Sequence, residues 1–384
     1  MKNYIMINSL ANGGAEQVVL RILNALNSQN FKCDLICLEK KTSYFVPDNI
    51  NVKYLSNLSG NESHIIKMLY LPVFAWRLKK LIKQKKCIVQ SHLYRSNYVN
   101  IIAKLLGSLH TSQLVSTDTV SMNLKGKSFF SKWVHFFLIK YLYKKADLLV
   151  FKSIGMMHDM KTTFKHKVKS TVINNPYPIN DIIEKSYDKI DCLFEKKTTV
   201  VCVGRLIKSK NVDKLILIFH ELLKEYPKAL LLIVGDGPEK LELIKLVNKL
   251  KIFSSVCFTG NIDNPYSYVS RATIFISLSS TEGFPNVLVE AMICKTSVIS
   301  TDCKSGPREI LAPNTPVKKV LTKGMELAQY GILIPVGDSL SAKLAIIRLL
   351  EDQKLRKFYS EKGIERGLNF RLEYIAKKYK NILT

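Results

Sequence analysis

The fold is most constrained by a regular alternation of short apolar runs and longer amphipathic stretches, which occurs twice along the 384 residues. Short apolar runs bounded by turn residues are typical of buried strands, and apolar residues spaced three and four apart are typical of helices. Strands that alternate with helices in this way predict a parallel sheet covered by helices on both faces. We therefore predict an α/β protein built from two doubly wound, Rossmann-like domains.

The alternation breaks once, after a strand predicted at 170–173, where Pro176 and Pro178 precede a stretch of mixed charges. Proline-containing segments without periodicity are typical of links between domains. A helix at the end of the chain is expected to pack back on the first domain. The predicted boundaries are 1–175 for the first domain, 176–197 for the linker, 198–365 for the second domain and about 366–384 for the final helix.

The chain is strongly cationic, with 58 Lys and Arg residues against 31 Asp and Glu residues and a formal net charge of +27. Such an excess points to an anionic partner, which can be a nucleic acid, an acidic membrane surface or a phosphate-bearing ligand. No apolar run is long enough to span a membrane, and the opening one is too short for a signal peptide. None of the eight cysteines forms a Cys-x-x-Cys pair, so we expect buried free thiols in a reducing cytoplasm.

Two carboxylates, Glu282 and Glu290, stand with seven residues between them in the second predicted domain. Glu282 follows a buried strand, and Pro285 and Asn286 are residues that begin helices. A helix N-terminus with free backbone N–H groups favours anions, and carboxylates accept hydrogen bonds from hydroxyls. The segment therefore suits a ligand that carries both phosphates and sugar hydroxyls.

This segment resembles the E-x7-E motif of the retaining family 4 glycosyltransferases, whose GT-B fold has two Rossmann-like domains facing a cleft. The resemblance implies that Glu290 holds the ribose of a nucleotide-sugar donor and that Glu282 binds hydroxyls of the transferred sugar. It also places Phe284, Pro285 and Asn286 in the donor site. By the same resemblance, the first domain takes the acceptor and the second binds the nucleotide sugar.

Two further loops follow the first strand of each domain. Gly13 and Gly14 allow close approach of a ligand to the backbone at a helix N-terminus, and they resemble the Gly-Gly-Ala-Glu loop of the same family. Arg205 can bind a phosphate bidentately and Lys210 can act as a point charge. They are similar to the family's Arg and Lys pair that neutralises the departing diphosphate. Lys208 is interpreted as a solvated neighbour.

Three other segments match the family. A Gly-x-Gly-Pro turn at 235–238 has either a structural or a ligand-binding role. Ile262 ends a loop that resembles the one on which such enzymes lay the nucleobase. The stretch Ser-Gly-Pro-Arg-Glu-Ile-Leu at 305–311 resembles a subgroup that acts on lipid-linked or surface oligosaccharides, and the segment 330–335 fits the same subgroup.

The resemblance is thin between residues 40 and 180. His92 follows a predicted strand and is a candidate for contact with the donor sugar or the acceptor, although a structural histidine is an equal alternative. Many relatives place a histidine near 117–119, where this chain has Thr117, Asp118 and Thr119. Asp118 is the candidate for the polar role at that position.

Two basic segments rich in aromatic residues, 64–83 and 129–145, are candidates for contact with a membrane. A helical stretch is predicted over 65–84. Basic amphipathic helices with aromatic residues suit an anionic membrane interface. The alternative is that each apolar stripe faces the domain core while the lysines are solvated. We expect one of the two segments to be peripheral.

Together these features predict transfer, with retention, of a hexose or N-acetylhexosamine from a nucleotide sugar, expected to carry UDP. The expected acceptor is a lipid-linked or surface-polysaccharide glycan, as in lipopolysaccharide or capsule synthesis, reached from the cytoplasmic face of an anionic membrane. Family analogy implies front-face attack with the leaving phosphate accepting the proton. The chain has no Asp-x-Asp sequence, so neither a metal ion nor another cofactor is expected.

Other functions stay open. A basic membrane- or nucleic-acid-binding protein without transferase activity would also explain the charge. Nucleic acid is not expected as a partner, because the lysines are spread along the whole chain and no recognised nucleic-acid motif occurs. An epimerase or a phosphorylase of the same fold is a third possibility that no sequence feature favours.

Overall fold

The structure is a computed structural model that describes residues 2–11, 13–82, 86–120, 129–190 and 198–384. The chain forms two compact units, one of Met1–Pro176 with Leu372–Thr384 and the other of Tyr177–Arg371. Residues 177–190, which the sequence assigns to a linker, are therefore part of the second unit. The rest of that predicted linker, 191–197, lies outside the described residues.

Seven strands form the sheet of the first unit in the order β3-β2-β1-β4-β5-β6-β7, and all neighbouring strands are parallel. The strands are β1 (Lys2–Ile7), β2 (Cys33–Cys37), β3 (Val52–Tyr54), β4 (Cys87–His92), β5 (Thr111–Ser116), β6 (Leu148–Phe151) and β7 (Ser170–Val172). The helices described before the second unit are α1 (Gly14–Ser28), α2 (His64–Leu69), α3 (Leu71–Ile82), α4 (Tyr94–Leu105), α5 (Phe129–Leu142) and α6 (Ile154–Phe164).

The second unit also has a seven-stranded sheet, in the order β10-β9-β8-β11-β12-β14-β13. Its strands are β8 (Thr199–Val203), β9 (Leu230–Val234), β10 (Val256–Gly260), β11 (Ile274–Ser277), β12 (Ser297–Thr301), β13 (Glu326–Leu327) and β14 (Ile332–Ile334). Its helices are α7 (Ile179–Ser186), α8 (Val212–Leu223), α9 (Lys240–Lys249), α10 (Tyr266–Val269), α11 (Asn286–Ile293), α12 (Pro307–Leu311), α13 (Ser339–Glu351) and α14 (Gln353–Leu368). The prediction of two parallel α/β sheets is confirmed, with one exception. The edge strand β13 pairs antiparallel with β14.

The central strands of both sheets are buried on both faces, as expected where helices cover a parallel sheet, whereas the edge strands β3, β7 and β13 are partly exposed. In β1, Tyr4 and Met6 belong to one hydrophobic cluster, and Ile5 and Ile7 belong to another. Successive side chains of a strand point to opposite faces, so the two clusters lie on the two sides of the sheet. This arrangement explains why the sequence shows continuous apolar runs rather than alternation.

The helical stretch predicted over 65–84 is confirmed over its described part, to Ile82, where it is divided into α2 and α3. Pro72 is the second residue of α3 and has no amide hydrogen to continue a hydrogen-bonded helix from α2. Tyr70 ends α2 by donating its backbone N–H to the Ile66 carbonyl. The predicted final helix at 366–384 also differs, since α14 extends to Leu368 and a separate C-terminal helix spans Leu372–Leu383.

The C-terminal helix packs on the first unit and covers buried polar groups there. Gln113 donates its side-chain amide to the Ile382 carbonyl. The Lys152 ammonium donates to the Tyr379 hydroxyl at 2.5 Å, and Lys152 is 3% exposed. Burial lowers the pKa of Lys152 to about 7. Because no carboxylate among the described residues pairs with this ammonium, the tyrosine hydroxyl is its main stabilising contact.

Tyr379→Phe is therefore expected to destabilise the first unit by about 1–3 kcal/mol, the range for leaving a buried polar group unsatisfied. The measurement is thermal unfolding followed by calorimetry. Tyr374→Phe is the matched control, because Tyr374 lies on the same helix and its side chain is half exposed. Equal melting temperatures for the two variants would contradict the role given to the Tyr379 hydroxyl.

In each sheet the order in which successive strands are added changes direction at one point. This point lies between β1 and β4 in the first unit and between β8 and β11 in the second. Open α/β sheets bind ligands outside the carboxyl ends of the strands at such a switch point. The loops that follow β8 and β11 are therefore where a site in the second unit is expected.

Candidate functional site

The loops after β8 and β11 are joined by hydrogen bonds at the switch point of the second unit. The β8 loop contains a 3₁₀ turn at Lys208–Lys210. Asn211, which follows it with a positive φ of 51°, donates its side-chain amide to the Leu278 carbonyl at 2.7 Å. The Ser280 amide donates to the Ser209 carbonyl at 2.8 Å. These contacts hold the two loops that carry Lys210 and Glu282 side by side.

Lys210 and Glu282 form an ion pair in this site. The Lys210 ammonium lies 2.6 Å from Oε1 of Glu282, and the two side chains are 24% and 9% exposed. The Ser305 hydroxyl donates to the backbone carbonyl of Glu282 and fixes the loop from its other side. The sequence placed both residues in the site, and the structure brings them into direct contact across 72 positions of chain.

Arg205 lies in the same loop as Lys210, with an exposed side chain. Across the described parts of the chain, no carboxylate forms an ion pair with its guanidinium. Lys208 is exposed on the 3₁₀ turn, as predicted for a solvated neighbour. The loop therefore presents positive charge to solvent beside the Lys210–Glu282 pair, which suits a ligand with phosphate groups.

The Gly-x-Gly-Pro turn is joined to the Arg205 loop by backbone hydrogen bonds. The Leu206 amide donates to the Asp236 carbonyl at 2.9 Å, and the Glu239 amide donates to the Leu206 carbonyl at 3.1 Å. A Cβ atom at Gly237 would lie 2.4 Å from the Leu206 carbonyl oxygen. Of the two roles that the sequence left open for this turn, the contacts give it the structural one.

Helix α11 begins at Asn286 directly after Pro285, as the sequence predicted. Two tyrosines orient its polar side chains. The Tyr177 hydroxyl donates to Oδ1 of Asn286 at 2.8 Å, and the Tyr266 hydroxyl donates to Oε1 of Glu290 at 3.3 Å. Sequence reasoning missed both tyrosines, because they lie 109 and 24 positions from their partners and belong to no local motif.

Three of the predicted donor contacts have side chains that are buried or half-buried in the second unit. Phe284 is 7% exposed, and its ring meets that of Phe370 at a centroid distance of 5.4 Å and an angle of 73°. Ile262 is half-buried and packs against the same cluster. Pro285 is also buried. Gly306 packs against Pro285 so closely that a Cβ atom at position 306 would have no room. These side chains therefore support the loop, while their backbone groups remain candidates for contact.

In the first unit, Gly13 and Gly14 stand at the N-terminus of α1, after β1. Asn12, which precedes the Gly-Gly-Ala-Glu loop, lies outside the described residues. The Glu16 carboxylate folds back over Gly13, since a Cβ there would lie 2.3 Å from Oε2 of Glu16. Burial raises the pKa of the Glu16 carboxyl. An anion at these amides would compete with this carboxylate for the positive end of the helix.

His92 is the last residue of β4 and is 1% exposed. Its Nε2 lies 3.3 Å from Oε1 of Gln90, and its Nδ1 has no hydrogen-bond partner within the described residues. Burial and the nearby Lys152 lower the pKa of His92 well below its usual value, so the ring is neutral at pH 7. The next residue, Leu93, has a φ of 70°, a strained conformation for a side chain of this kind.

Asp118 follows β5, the neighbour of β4 in the sheet. Its side chain is half-buried, and the Thr117 hydroxyl lies 3.4 Å from Oδ2 of Asp118. Because β4 and β5 are adjacent and parallel, His92 and Asp118 lie at the same edge of the first sheet. The structure therefore places both candidates where parallel sheets bind ligands, with the histidine beneath the surface.

Both basic segments expose apolar side chains. The side chains exposed on α2, α3 and between them are Ile65, Ile66, Leu69, Tyr70, Val73 and Trp76, and those exposed on α5 are Phe130, Trp133, Phe137 and Tyr141. Helices α3 and α5 also bury residues on a second face, among them Phe74 and Ile139, so the core-facing alternative accounts for only part of each segment. Within the described ranges, none of the helices has the length and apolar character needed to cross a membrane.

Family models match most of the chain in succession. The model described as Glycosyltransferase Family 4 matches residues 12–181, and the model described as Glycosyl transferases group 1 matches residues 185–366. A solved structure of Anabaena HepE in complex with UDP superposes with a TM-score of 0.75 and 18% identity. The superposition covers 100% of this chain and 99% of the HepE chain. The two proteins therefore have the same fold.

Two curated relatives come from Campylobacter jejuni subsp. jejuni serotype O:2. The N-acetylgalactosamine-N,N'-diacetylbacillosaminyl-diphospho-undecaprenol 4-alpha-N-acetylgalactosaminyltransferase is 32% identical over 375 residues, which cover 97% of this chain and 96% of the relative. The GalNAc-alpha-(1->4)-GalNAc-alpha-(1->3)-diNAcBac-PP-undecaprenol alpha-1,4-N-acetyl-D-galactosaminyltransferase is 26% identical over 389 residues, covering 100% of this chain and 98% of the relative. With its two parallel α/β units and the E-x7-E segment, this chain is a glycosyltransferase that belongs to family 4 and has the GT-B fold.

Proposed function

We propose that this enzyme transfers an N-acetylhexosamine or hexose from a UDP-sugar to a lipid-linked glycan, with retention at the anomeric carbon. The observation that carries the proposal is the Lys210–Glu282 pair beside the exposed Arg205 at the switch point of the second unit. Two relatives with transferase names act on diphospho-undecaprenol-linked sugars, and a structural neighbour binds UDP. These names support the choice of donor and acceptor.

In the proposed reaction, the bond between the anomeric carbon and the diphosphate breaks, and the acceptor oxygen forms a new bond on the same face. The diphosphate leaves with the electron pair, and its oxygen takes the proton of the acceptor hydroxyl. Arg205 and Lys210 stabilise the charge that develops on the diphosphate. Glu290, held by Tyr266, accepts hydrogen bonds from the ribose, and Glu282 accepts them from the sugar. The residues supply this stabilisation without a metal ion.

The proposed acceptor places the enzyme at the cytoplasmic face of a membrane. The helices α2, α3 and α5, which expose these apolar side chains, also carry lysines, as in peripheral proteins that bind anionic interfaces. In α3, the Lys80 ammonium lies 3.8 Å above the ring of Trp76, so cation and aromatic group form one surface. A glycan on a lipid carrier would reach the enzyme at such a surface, as in the assembly of lipopolysaccharide or capsule.

The first test is thermal unfolding in the presence of a panel of nucleotide diphosphates and nucleotide sugars. One UDP-sugar is expected to raise the melting temperature of the wild type, because a ligand at 100 times its Kd adds about 2.7 kcal/mol. Glu290→Ala is expected to abolish this rise while the protein stays folded. Glu242→Ala, which removes an exposed carboxylate of the same unit, should respond as the wild type does. Failure of every nucleotide to stabilise the wild type would contradict the proposed donor.

A further inference from the structure

A cavity of about 500 Å³ lies in the first unit, between the end of α5 and the segment that follows α6. Five lysines line it, namely Lys140 and Lys144 on one side and Lys165, Lys167 and Lys169 on the other. Its described lining includes no aspartate or glutamate. The cavity is therefore a strongly cationic concavity, and none of its residues belongs to the site of the second unit.

The charges of these five lysines are not compensated. No ion pair joins any of them to a carboxylate in the part of the chain that the structure describes. Nearby, Lys104 on α4 does pair with Asp147, at 2.6 Å. Like charges that converge on one concavity repel each other and attract a counter-ion. Lysine ammonium groups bind phosphate groups as point charges, so an anion in the cavity would relieve the repulsion.

His166 lies among these lysines. It lines the same cavity, and its ring stacks on that of Phe164 with a centroid distance of 5.5 Å and an angle of 13°. Burial lowers the pKa of His166, and the charge of nearby Lys144 acts in the same direction. This direction agrees with the uncompensated positive charge of the cavity.

The exposed aromatic face of α5 adjoins the cavity. Phe130, Trp133, Phe137 and Tyr141 recur at intervals of three and four residues, so they share one face of the helix. The ammonium groups of Lys140 and Lys144 lie 5.5 and 4.7 Å from the ring centroid of Tyr141. Aromatic side chains prefer the level of lipid headgroups, and lysines near the surface are attracted to anionic lipids. This continuity favours a headgroup over a free phosphate.

We propose that the lysine-lined cavity binds the phosphate group of an anionic lipid headgroup while the aromatic face of α5 lies in the membrane interface. The proposal rests on the proposed membrane contact and specifies its site and ligand. It does not depend on the sugar transfer. Of the two basic segments, it makes the one at 129–145 the segment that recognises lipid phosphate.

The test is co-sedimentation with vesicles of phosphatidylglycerol in phosphatidylcholine, compared with phosphatidylcholine alone. Each lysine near an anionic surface contributes about 1 kcal/mol, or about fivefold in affinity. Lys144→Gln/Lys167→Gln is therefore expected to bind the anionic vesicles roughly 25-fold more weakly than the wild type. Lys32→Gln/Lys40→Gln is the matched control, because it removes the same charge from exposed positions of the first unit that lie on either side of β2 and do not line the cavity. Its affinity should change less than about threefold, since distant charges are screened.

Equal weakening in the two double variants would overturn the proposal, because it would show attraction to the overall charge and no built site. A second arm measures stabilisation by inorganic phosphate. If phosphate stabilised the wild type and the control but no protein bound anionic vesicles, the lipid assignment would be overturned.

The UDP-sugar response of each variant is measured alongside. An unchanged response with lost vesicle binding supports the cavity, and a failure of the donor test leaves the vesicle result standing by itself.

Discussion

Replacing Lys210 by Met is expected to lower kcat by about 10²- to 10³-fold, the usual cost of removing one group that stabilises charge in a transition state. Lys210 faces the place where the diphosphate leaves in the proposed reaction, and it is held there by Glu282 at 2.6 Å. The effect should appear mainly in kcat, because charge on the leaving group is greater in the transition state than in the bound donor. Release of UDP from the UDP-sugar that passes the binding test measures the rate.

Lys208→Met is the matched control for this experiment. Lys208 lies two residues away on the same 3₁₀ turn, is exposed, and has no carboxylate partner among the described residues. Its loss is expected to change kcat less than about threefold, as for a solvated charge that touches no ligand. Similar losses from the two substitutions would indicate a general effect of loop charge and would contradict a specific role for Lys210.

A purely structural role of Lys210 is tested by a second substitution. In Lys210→Met the Glu282 carboxylate, which is 9% exposed, loses its partner, and a buried unpaired charge is costly. The double variant Lys210→Met/Glu282→Gln removes that charge. If the ion pair only holds the loop, the double variant should recover activity toward the wild type. If both residues contact the donor, the activity should stay at or below that of Lys210→Met.

The residues of this site were predictable to the extent that they lie in local motifs after a strand. Arg205 and Glu282 follow strands whose carboxyl ends meet at one edge, so their proximity follows from the topology of a parallel sheet. The contacts of Tyr177 and Tyr266 with Asn286 and Glu290 depend on packing between distant segments. Periodicity in one sequence carries no information on such pairs, so the support of the site could not be predicted.

The same reasoning explains the errors in the fold. Helix α7 falls within the predicted linker because Pro176 and Pro178 break the pattern before it. It is eight residues long, and only a few of its side chains, among them Ile179 and Ile182, reach the core.

The arginine of the Ser-Gly-Pro-Arg motif gives the largest expected effect on stability. Arg308 and Asp302 are 2% and 1% exposed. Nε of Arg308 lies 3.1 Å from both Asp302 oxygens, and its Nη2 lies 2.5 Å from Oδ2. The Leu321 amide also donates to Asp302, at 2.8 Å. Glu326 is the second partner of the guanidinium, which holds the pKa of that carboxyl below its usual value. The motif therefore supplies a buried ion network that fixes the segment beside β12.

Asp302→Ala is expected to destabilise the second unit by about 3–5 kcal/mol, because it leaves the Arg308 charge buried with its main partner removed. Calorimetry of thermal unfolding measures the change. Glu221→Ala is the control, since it breaks an ion pair of similar length, 2.7 Å, whose side chains are 62% and 49% exposed. Such surface pairs contribute about 0–1 kcal/mol.

Asp302→Ala/Arg308→Met should recover part of the lost stability, because a buried pair replaced by apolar groups is often neutral. If the double variant were less stable than Asp302→Ala, the cost would lie in lost packing, and the buried unpaired charge would not be its cause.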